Sequence, residues 1–461
     1  MSSSDLVGVV GLGVSNRPLV SFLLDQGQEV AVFDRRPGEA LMAELEDLGA
    51  TGVEVYGGPQ YLQALLQRPL STVYLTPGVP KFGPELDELR KRGVRFSCET
   101  ELFLERCQAP VIGITGSAGK TTTTTLVGES LRRDGRRPVY VGGNIGQPLI
   151  SQLGQIGPES WVVLELSSFQ LDLTKRSPHG ACILNIRPNH LDIHRDYQDY
   201  KEAKANIARF QSKEDWVVLP YDDAEVTAMV AQGTGRRVFF SLSQEIAHGA
   251  YYRDQKLWWR GGKGARPVVD RSALKLIGEH NVANALAAIA IVASAGGDLE
   301  AAAAVLESFA GVPHRLEVVR EVNDVLYIND SIATAPDRTM AALAAISRPI
   351  VLILGGYDKK LDYDTLGEAL RHSRVHTVVV LGEIRDRVKK AVMAHTDIPV
   401  IEAQSFDQAV QQAAVAARPG DVVLLSPATA SYDLFANFEE RGKRFRELVG
   451  RLNANGSGFQ Q

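Results

Sequence analysis

Between Ile114 and Thr122 the chain carries Gly116, Ser117, Ala118, Gly119, Lys120, Thr121 and Thr122. A short apolar run precedes them, and a segment that reads as a helix through Leu126, Val127 and Leu131 follows. Glycines at such a junction let backbone N–H groups approach phosphate oxygens, and a helix start adds a favourable dipole. Lys120 would reach the terminal phosphates of a nucleoside triphosphate, and the Thr121 hydroxyl would ligate Mg²⁺. The full phosphate-loop pattern wants a Gly six residues before the Lys, and Ile114 stands there instead. A Gly-Ser turn capping a helix is the competing reading; strand, glycines, lysine and threonine in one context outweigh it.

Other polar groups fall at the ends of apolar runs. Val139–Ile145 delivers Asn144, Trp161–Leu166 holds Glu165, and Ala181–Ile186 leads to Asn189 and His190. An unpartnered carboxylate inside an apolar run is costly, so Glu165 needs company. In a parallel sheet the carboxyl ends of the strands share one edge, where ligands collect. Thr121, Glu165 and His190 beside triphosphate oxygens make a candidate Mg²⁺ cage, although imidazole is a less usual Mg²⁺ ligand. Alone, Glu165 reads equally as a structural acid and His190 as a core histidine. Lys204 follows Tyr197 and Tyr200 at helical spacing, on or beside the inward face of a segment over 196–210. Its bland reading is a lysine whose stem lies on apolar surface.

These groups need parallel strands to position them, and the rest of the chain supplies the pattern. Short apolar runs ending in Gly, Asn or Asp alternate with amphipathic stretches, which is βαβ patterning. It starts over three times: at Leu6–Gly11, at Val111–Ile114 and after Pro313. The third block has strands near Val325–Asn329, Ile350–Leu354, Thr377–Leu381 and Asp421–Leu425. Residues 217–276 are rich in β formers and read as antiparallel strands decorating the middle block. At 461 residues, about three domains are expected. A net charge of −5 disfavours a broad nucleic-acid surface. Cys98, Cys107 and Cys182 lack metal or disulfide spacing. No leader or run of about 18 apolar residues is evident, so a cytoplasmic chain without a membrane span is expected.

Together these residues resemble the Mur ligases, essentially from Val7 to Leu448, with folylpolyglutamate synthase a more distant relative. The loop 115–122, the strand end Glu165–Gln170 and the segment Asn189–Asp192 carry the likeness. Leu425–Gly442 resembles the signature of the glutamate-adding members. The resemblance implies three α/β domains. These are a Rossmann-like UDP-substrate domain (1–108), a central ATP-binding domain (109–312) and a Rossmann-like amino-acid-binding domain (313–461). The central domain would hold a P-loop-type parallel sheet with a small antiparallel one, and hinges would lie near Ala109–Pro110 and Gly311–Pro313. Lys204 would be carbamylated, giving a carboxylate-like Mg²⁺ ligand beside Thr121, Glu165 and His190. The UDP-linked substrate would meet Gly13, Val14, Ser15, Asp34, Arg35, Arg36, Thr76, Gly78 and Asn144. ATP would meet Asn281, Asn284, Arg315 and Asp330, with His314 beside them. The amino acid would meet Thr334, Lys359, Ser431 and the backbone near Phe438, with Lys360 competing for the role of Lys359.

The implied reaction joins glutamate, D-glutamate by preference, to UDP-N-acetylmuramoyl-L-alanine through an acyl phosphate, a cytoplasmic step of peptidoglycan synthesis serving cell shape and division. ATP and Mg²⁺ are the implied cofactors, and the chain is expected to act as a monomer. Two residues depart from the familiar pattern. Ile332 stands where a Lys follows Asn-Asp-Ser, which leaves D- and L-glutamate both open, and Ala118 stands where many relatives carry Asn. A folylpolyglutamate-type ligase, a nucleotide-binding module without ligation and an NAD-dependent oxidoreductase are the other readings. The cluster of Thr121, Glu165, His190 and Lys204 exceeds what binding alone requires, and an oxidoreductase leaves the phosphate loop unexplained.

Overall fold

A computed structural model describes residues 6–13, 15–76, 79, 81–145, 148–188, 194–276, 278–359 and 361–452. Five parallel strands open the chain, in the order Glu54–Gly57, Val30–Asp34, Val7–Val10, Thr72–Leu75, Arg95–Ser97. The two central strands are buried along their whole length, which is why they read as unbroken apolar runs rather than alternating ones. Gly11 turns the chain out of the first strand at φ 81°, where an added Cβ would lie 2.4 Å from Thr76 Cγ2. Only glycine fits so close an approach at that backbone angle.

The second sheet has nine strands, with Val111–Thr115 between Gly180–Ile183 and Trp161–Glu165, and Val139–Gly143 at the edge. The strands expected to be antiparallel over 217–276 differ from that expectation in part. Trp216–Pro220 and Arg236–Ser241 run parallel to the rest, and only Gly249–Arg253, Lys256–Gly261 and Gly264–Asp270 form an antiparallel meander on the same sheet. The reason lies between the first two: the Asp223 side chain caps a helix over Ala224–Met229, which supplies the crossover that parallel strands need. Helices Lys120–Asp134, Glu279–Ser294 and Leu299–Ser308 close one face around Ile112, Leu126 and Ile289. The other face shares a single apolar cluster with the first sheet, from Val7 and Leu19 through Leu149 and Ile207 to Val230. Residues up to Phe309 accordingly form one compact unit.

The second unit runs from Ala310 onward. Its sheet order is Glu317–Val322, Val325–Asn329, Val422–Leu425, Ile350–Gly355, Val375–Leu381, Val400–Glu402, parallel except for the first pair. Val422–Leu425 sits between two strands that precede it by many residues, so the loops after Asn329, Gly355 and Leu425 gather at one edge. Such a reversal of strand order is where open α/β sheets form their crevice. Among the described residues no helix is long and apolar enough to cross a membrane.

Candidate active site

The loop after Val111–Thr115 delivers Gly116 to Lys120 onto the start of helix Lys120–Asp134. Gly119 has φ 83°, and a Cβ there would lie 2.2 Å from Asn284 Oδ1. Asn284 therefore packs directly on the loop, and its Nδ2 donates to Asn281 Oδ1 at 3.1 Å. Neither asparagine caps its helix, because Gly278 holds the cap position of Glu279–Ser294. Lys120 Nζ bonds the carbonyls of Gly116 (3.0 Å) and Ser117 (3.3 Å), folding over the loop its own backbone builds.

Behind the loop, Glu165 is 2% exposed and has the company its burial demands. Thr121 Oγ1 donates to its Oε2 at 2.7 Å and Asn144 Nδ2 to its Oε1 at 2.9 Å. Two strand-end residues expected to share an edge, Asn144 and Glu165, thus touch, and Thr121 at the start of the helix bonds the same carboxylate. Lys204, also 2% exposed, donates from Nζ to Thr115 Oγ1 (3.1 Å) and Gly116 O (3.0 Å). Burial pulls its amine far below the usual lysine value; the Lys120 charge adds to this and Glu165 opposes it. Burial therefore favours the neutral, nucleophilic form of the amine. His190, with Asn189 and Asp192, lies outside the described residues.

Several neighbours were not singled out from the sequence. Asn185 bonds Ala118 twice, accepting from its N–H at 2.9 Å and donating to its carbonyl at 3.1 Å. Tyr200 puts its hydroxyl 2.9 Å from Ser117 Oγ and its ring beneath Lys204 Nζ, 4.9 Å from the centroid. His194 is clasped between Ser168 Oγ (2.9 Å) and Asp199 Oδ2 (3.3 Å), and it stacks on Phe169. Asn185 had a signal, a polar residue ending an apolar run; Tyr200 and His194 read as ordinary helix-face and loop residues.

In the first sheet, Gly13, Ser15, Thr76 and Asp34 lie at the carboxyl ends of adjacent strands. Asp34 accepts from Leu12 N (2.8 Å) and Arg36 N (2.9 Å), while Arg36 Nη2 donates to Leu12 O at 2.9 Å. Burial alone would raise the Asp34 carboxyl, but the hydrogen bonds from Arg36 and Leu12 outweigh it and hold the group below the ordinary carboxylate value. These two side chains set the shape of the turn, whereas Arg35 is exposed. Val14 and Gly78 lie outside the described residues.

The second unit presents another constellation. Asp330 accepts from Ser426 Oγ (2.8 Å) and Leu316 N (3.1 Å), and burial pushes its carboxyl up to about 6. Arg315 sits between His314 (φ 64°) and Leu316 (φ 42°), two non-glycine residues in left-handed backbone. Such strain persists only where surroundings over-determine it, and here Ile332 N stitches to His314 O at 3.1 Å. Lys359 Nζ reaches Thr334 O at 3.4 Å. Ser431 is 1% exposed and its hydroxyl has no partner among the described residues, which is rare for a buried polar group. Phe438 O accepts from Ser331 Oγ at 2.8 Å. Ser331 in turn accepts from the buried Arg441, which also bonds the carbonyls of Ser331, Thr429 and Ala430. Lys360 lies outside the described residues.

Three stretches match known domains: residues 5–97 the Mur ligase MurD-like N-terminal domain, 114–292 the Mur ligase middle domain, and 314–429 the Mur ligase glutamate ligase domain. The chain is 45% identical to UDP-N-acetylmuramoylalanine--D-glutamate ligase of Symbiobacterium thermophilum, over 96% of this chain and 98% of that protein. It is 40% identical to the enzyme of that name from Clostridium kluyveri, over 97% and 96% respectively. Among solved structures, a UDP-N-acetylmuramate-alanine ligase from Thermotoga maritima aligns with TM-score 0.51 at 22% identity, covering 96% of this chain and 99% of that one. MurF from Acinetobacter baumannii aligns with TM-score 0.53 at 22% identity, over 76% and 79%. At those identities the two structures speak to the fold alone.

Proposed function

The chain belongs to the Mur ligase family of ATP-dependent amide-bond ligases, and on that premise we propose that it joins D-glutamate to UDP-N-acetylmuramoyl-L-alanine. The observation that carries this is near-full-length identity to enzymes named for D-glutamate ligation, at 45% and 40%. The step belongs to cytoplasmic assembly of peptidoglycan precursors, and we read the chain as a monomer.

A carboxylate is a poor electrophile, so the reaction needs a leaving group. The alanyl carboxylate oxygen attacks the γ-phosphorus of ATP, the bond to ADP breaks, and an acyl phosphate forms. The glutamate amine then adds to the acyl carbon, the C–O bond to phosphate breaks, and the amine loses a proton. Catalysis of such steps is mainly positioning and charge neutralisation. Lys120 and the loop N–H groups would hold the phosphates, with Asn281 and Asn284 beside the nucleotide. Asp34, Arg36, Thr76 and their turn would hold the uridine diphosphate end. Thr334, Lys359, Ser431 and the backbone at Phe438 would hold the amino acid.

Mg²⁺ would be held by Thr121 and Glu165 and neutralises charge on the transferring phosphoryl group when bound. The fit is good: Thr121 and Glu165 present hydroxyl and carboxylate oxygens 2.7 Å apart, and this hard cation takes one or two carboxylates plus phosphate oxygens and waters. Among the described residues no three His, Cys, Asp or Glu side chains are grouped to hold a metal, so Glu165 is not part of a ready-made set of that kind. Carbamylation of Lys204 supplies the missing oxygens. The neutral form of its amine, which burial favours, would add to the carbon of CO₂ and release one proton, replacing a buried lysine by an anion beside the loop. His190 completes the set on sequence grounds.

The test is phosphate release from ATP and Mg²⁺ with UDP-N-acetylmuramoyl-L-alanine and, in parallel, D-glutamate, L-glutamate or a diamino acid. Release with D-glutamate alone is expected. Release only with L-glutamate or with the diamino acid overturns the assignment.

A further inference from the structure

Two cations converge on one short stretch of the second unit. Arg338 Nη1 donates to Ile332 O at 3.4 Å, and Lys359 Nζ reaches Thr334 O at 3.4 Å. Those carbonyls are two residues apart, and Thr334 N itself bonds Ile332 O at 2.8 Å, so both heads sit on the same turn. Both side chains are exposed, and among the described residues neither has a carboxylate at ion-pair distance. Ile332 offers no charge of its own. Arg338 is also the third residue of helix Pro336–Ala345, where the helix dipole disfavours a cation. Its charge helps to depress the Lys359 amine, after burial and ahead of Arg441. The Asp330 carboxylate feels the Arg338 charge but does not reach ion-pair distance. Like charges held together against a dipole, with no carboxylate paired to either among the described residues, are arranged for an anion from outside.

We infer that Arg338 is a specificity-determining residue that takes one carboxylate of a dicarboxylic amino acid while Lys359 takes the other. This rests on the glutamate-ligase reading and deepens it. A single lysine leaves one of the two negative charges of glutamate unmatched. The planar guanidinium supplies two parallel donors for the second carboxylate, which a neutral or monocarboxylic amino acid lacks. Ser431, buried and without a partner among the described residues, is a further donor for the same ligand.

The experiment measures KM for D-glutamate and for ATP in the intact chain and in Arg338→Lys, Arg338→Ala and Arg338→Glu, with thermal melting as a folding control. A charge-assisted hydrogen bond of ordinary strength makes the expected rise in KM for D-glutamate about 10- to 100-fold in Arg338→Ala. The rise is smaller in Arg338→Lys and larger in Arg338→Glu, and KM for ATP moves less than threefold throughout. If D-glutamate KM stays within twofold in Arg338→Ala, or ATP KM rises by the same factor, the inference is overturned. Should Arg338→Ala melt early, the same comparison is read between Arg338→Lys and the parent chain. Phosphate release by the parent chain separates the two failures. If the parent is silent with D-glutamate, the glutamate-ligase reading falls and takes this inference with it; an active parent with an unmoved KM sinks the inference alone.

Discussion

Lys204 shows how one buried side chain can be a cost to the fold and an asset to the site. Burial penalises its cation and so favours the nucleophilic amine that the proposed reaction with CO₂ would need. Lys204→Ala is expected to lose most phosphate release, and an added small carboxylate should restore part of it. Full activity of the variant, or no restoration, counts against the carbamate. Asp330 carries the opposite tension. Burial pushes its carboxyl up to about 6, above its unfolded value of 3.8. Between those values the folded state keeps a proton that the unfolded chain has lost, so this group's contribution to stability declines as pH rises through that window. Asp330→Asn keeps an acceptor for Leu316 N and offers Ser426 an amide. It is expected to be more stable than the parent by about 2–3 kcal/mol at pH 7.5. That advantage should shrink toward pH 4, and urea unfolding at the two pH values reads it.

At the scale of elements, the phosphate loop depends on a helix from far along the chain. An added methyl at Gly119 meets Asn284 and an unfavourable backbone angle together. Gly119→Ala is therefore expected to raise KM for ATP at least about tenfold while the melting temperature falls by only a few degrees. An unchanged KM would separate Asn284 from the nucleotide site. This coupling also marks how far the sequence could be read. Gly116, Lys120, Thr121 and Glu165 were legible because a short motif, or a carboxylate inside an apolar run, is visible locally. Asn185, Tyr200 and Arg441 were not, because their partners are 67, 83 and 110 residues away. Lys204 was legible as a site residue only through likeness to a family; helical spacing puts it on or beside the inward face, where a lysine whose stem lies on apolar surface is the favoured reading. The parallel course of Trp216–Pro220 and Arg236–Ser241 was missed because β-forming composition says nothing about a strand's neighbours.

Across the whole molecule, apolar packing is divided unevenly. The second unit closes two clusters of its own on either side of its sheet, drawn only from residues from Leu316 onward. A fragment of residues 310–461 is expected to unfold in one cooperative transition followed by circular dichroism. A gradual melt would show that it leans on the first unit for order. Residues 1–108 are a different case, since Val9, Leu19 and Leu41 share their cluster with Leu164, Ile207 and Val230. This sharing has a consequence for how the protein is made. The ribosome completes the opening strands long before their packing partners leave the exit tunnel. At about 5–20 residues per second, the wait between residue 50 and residue 230 is on the order of ten to forty seconds. For that interval the nascent chain displays a half-built core, and its safe emergence depends on translation speed and on whatever shields it.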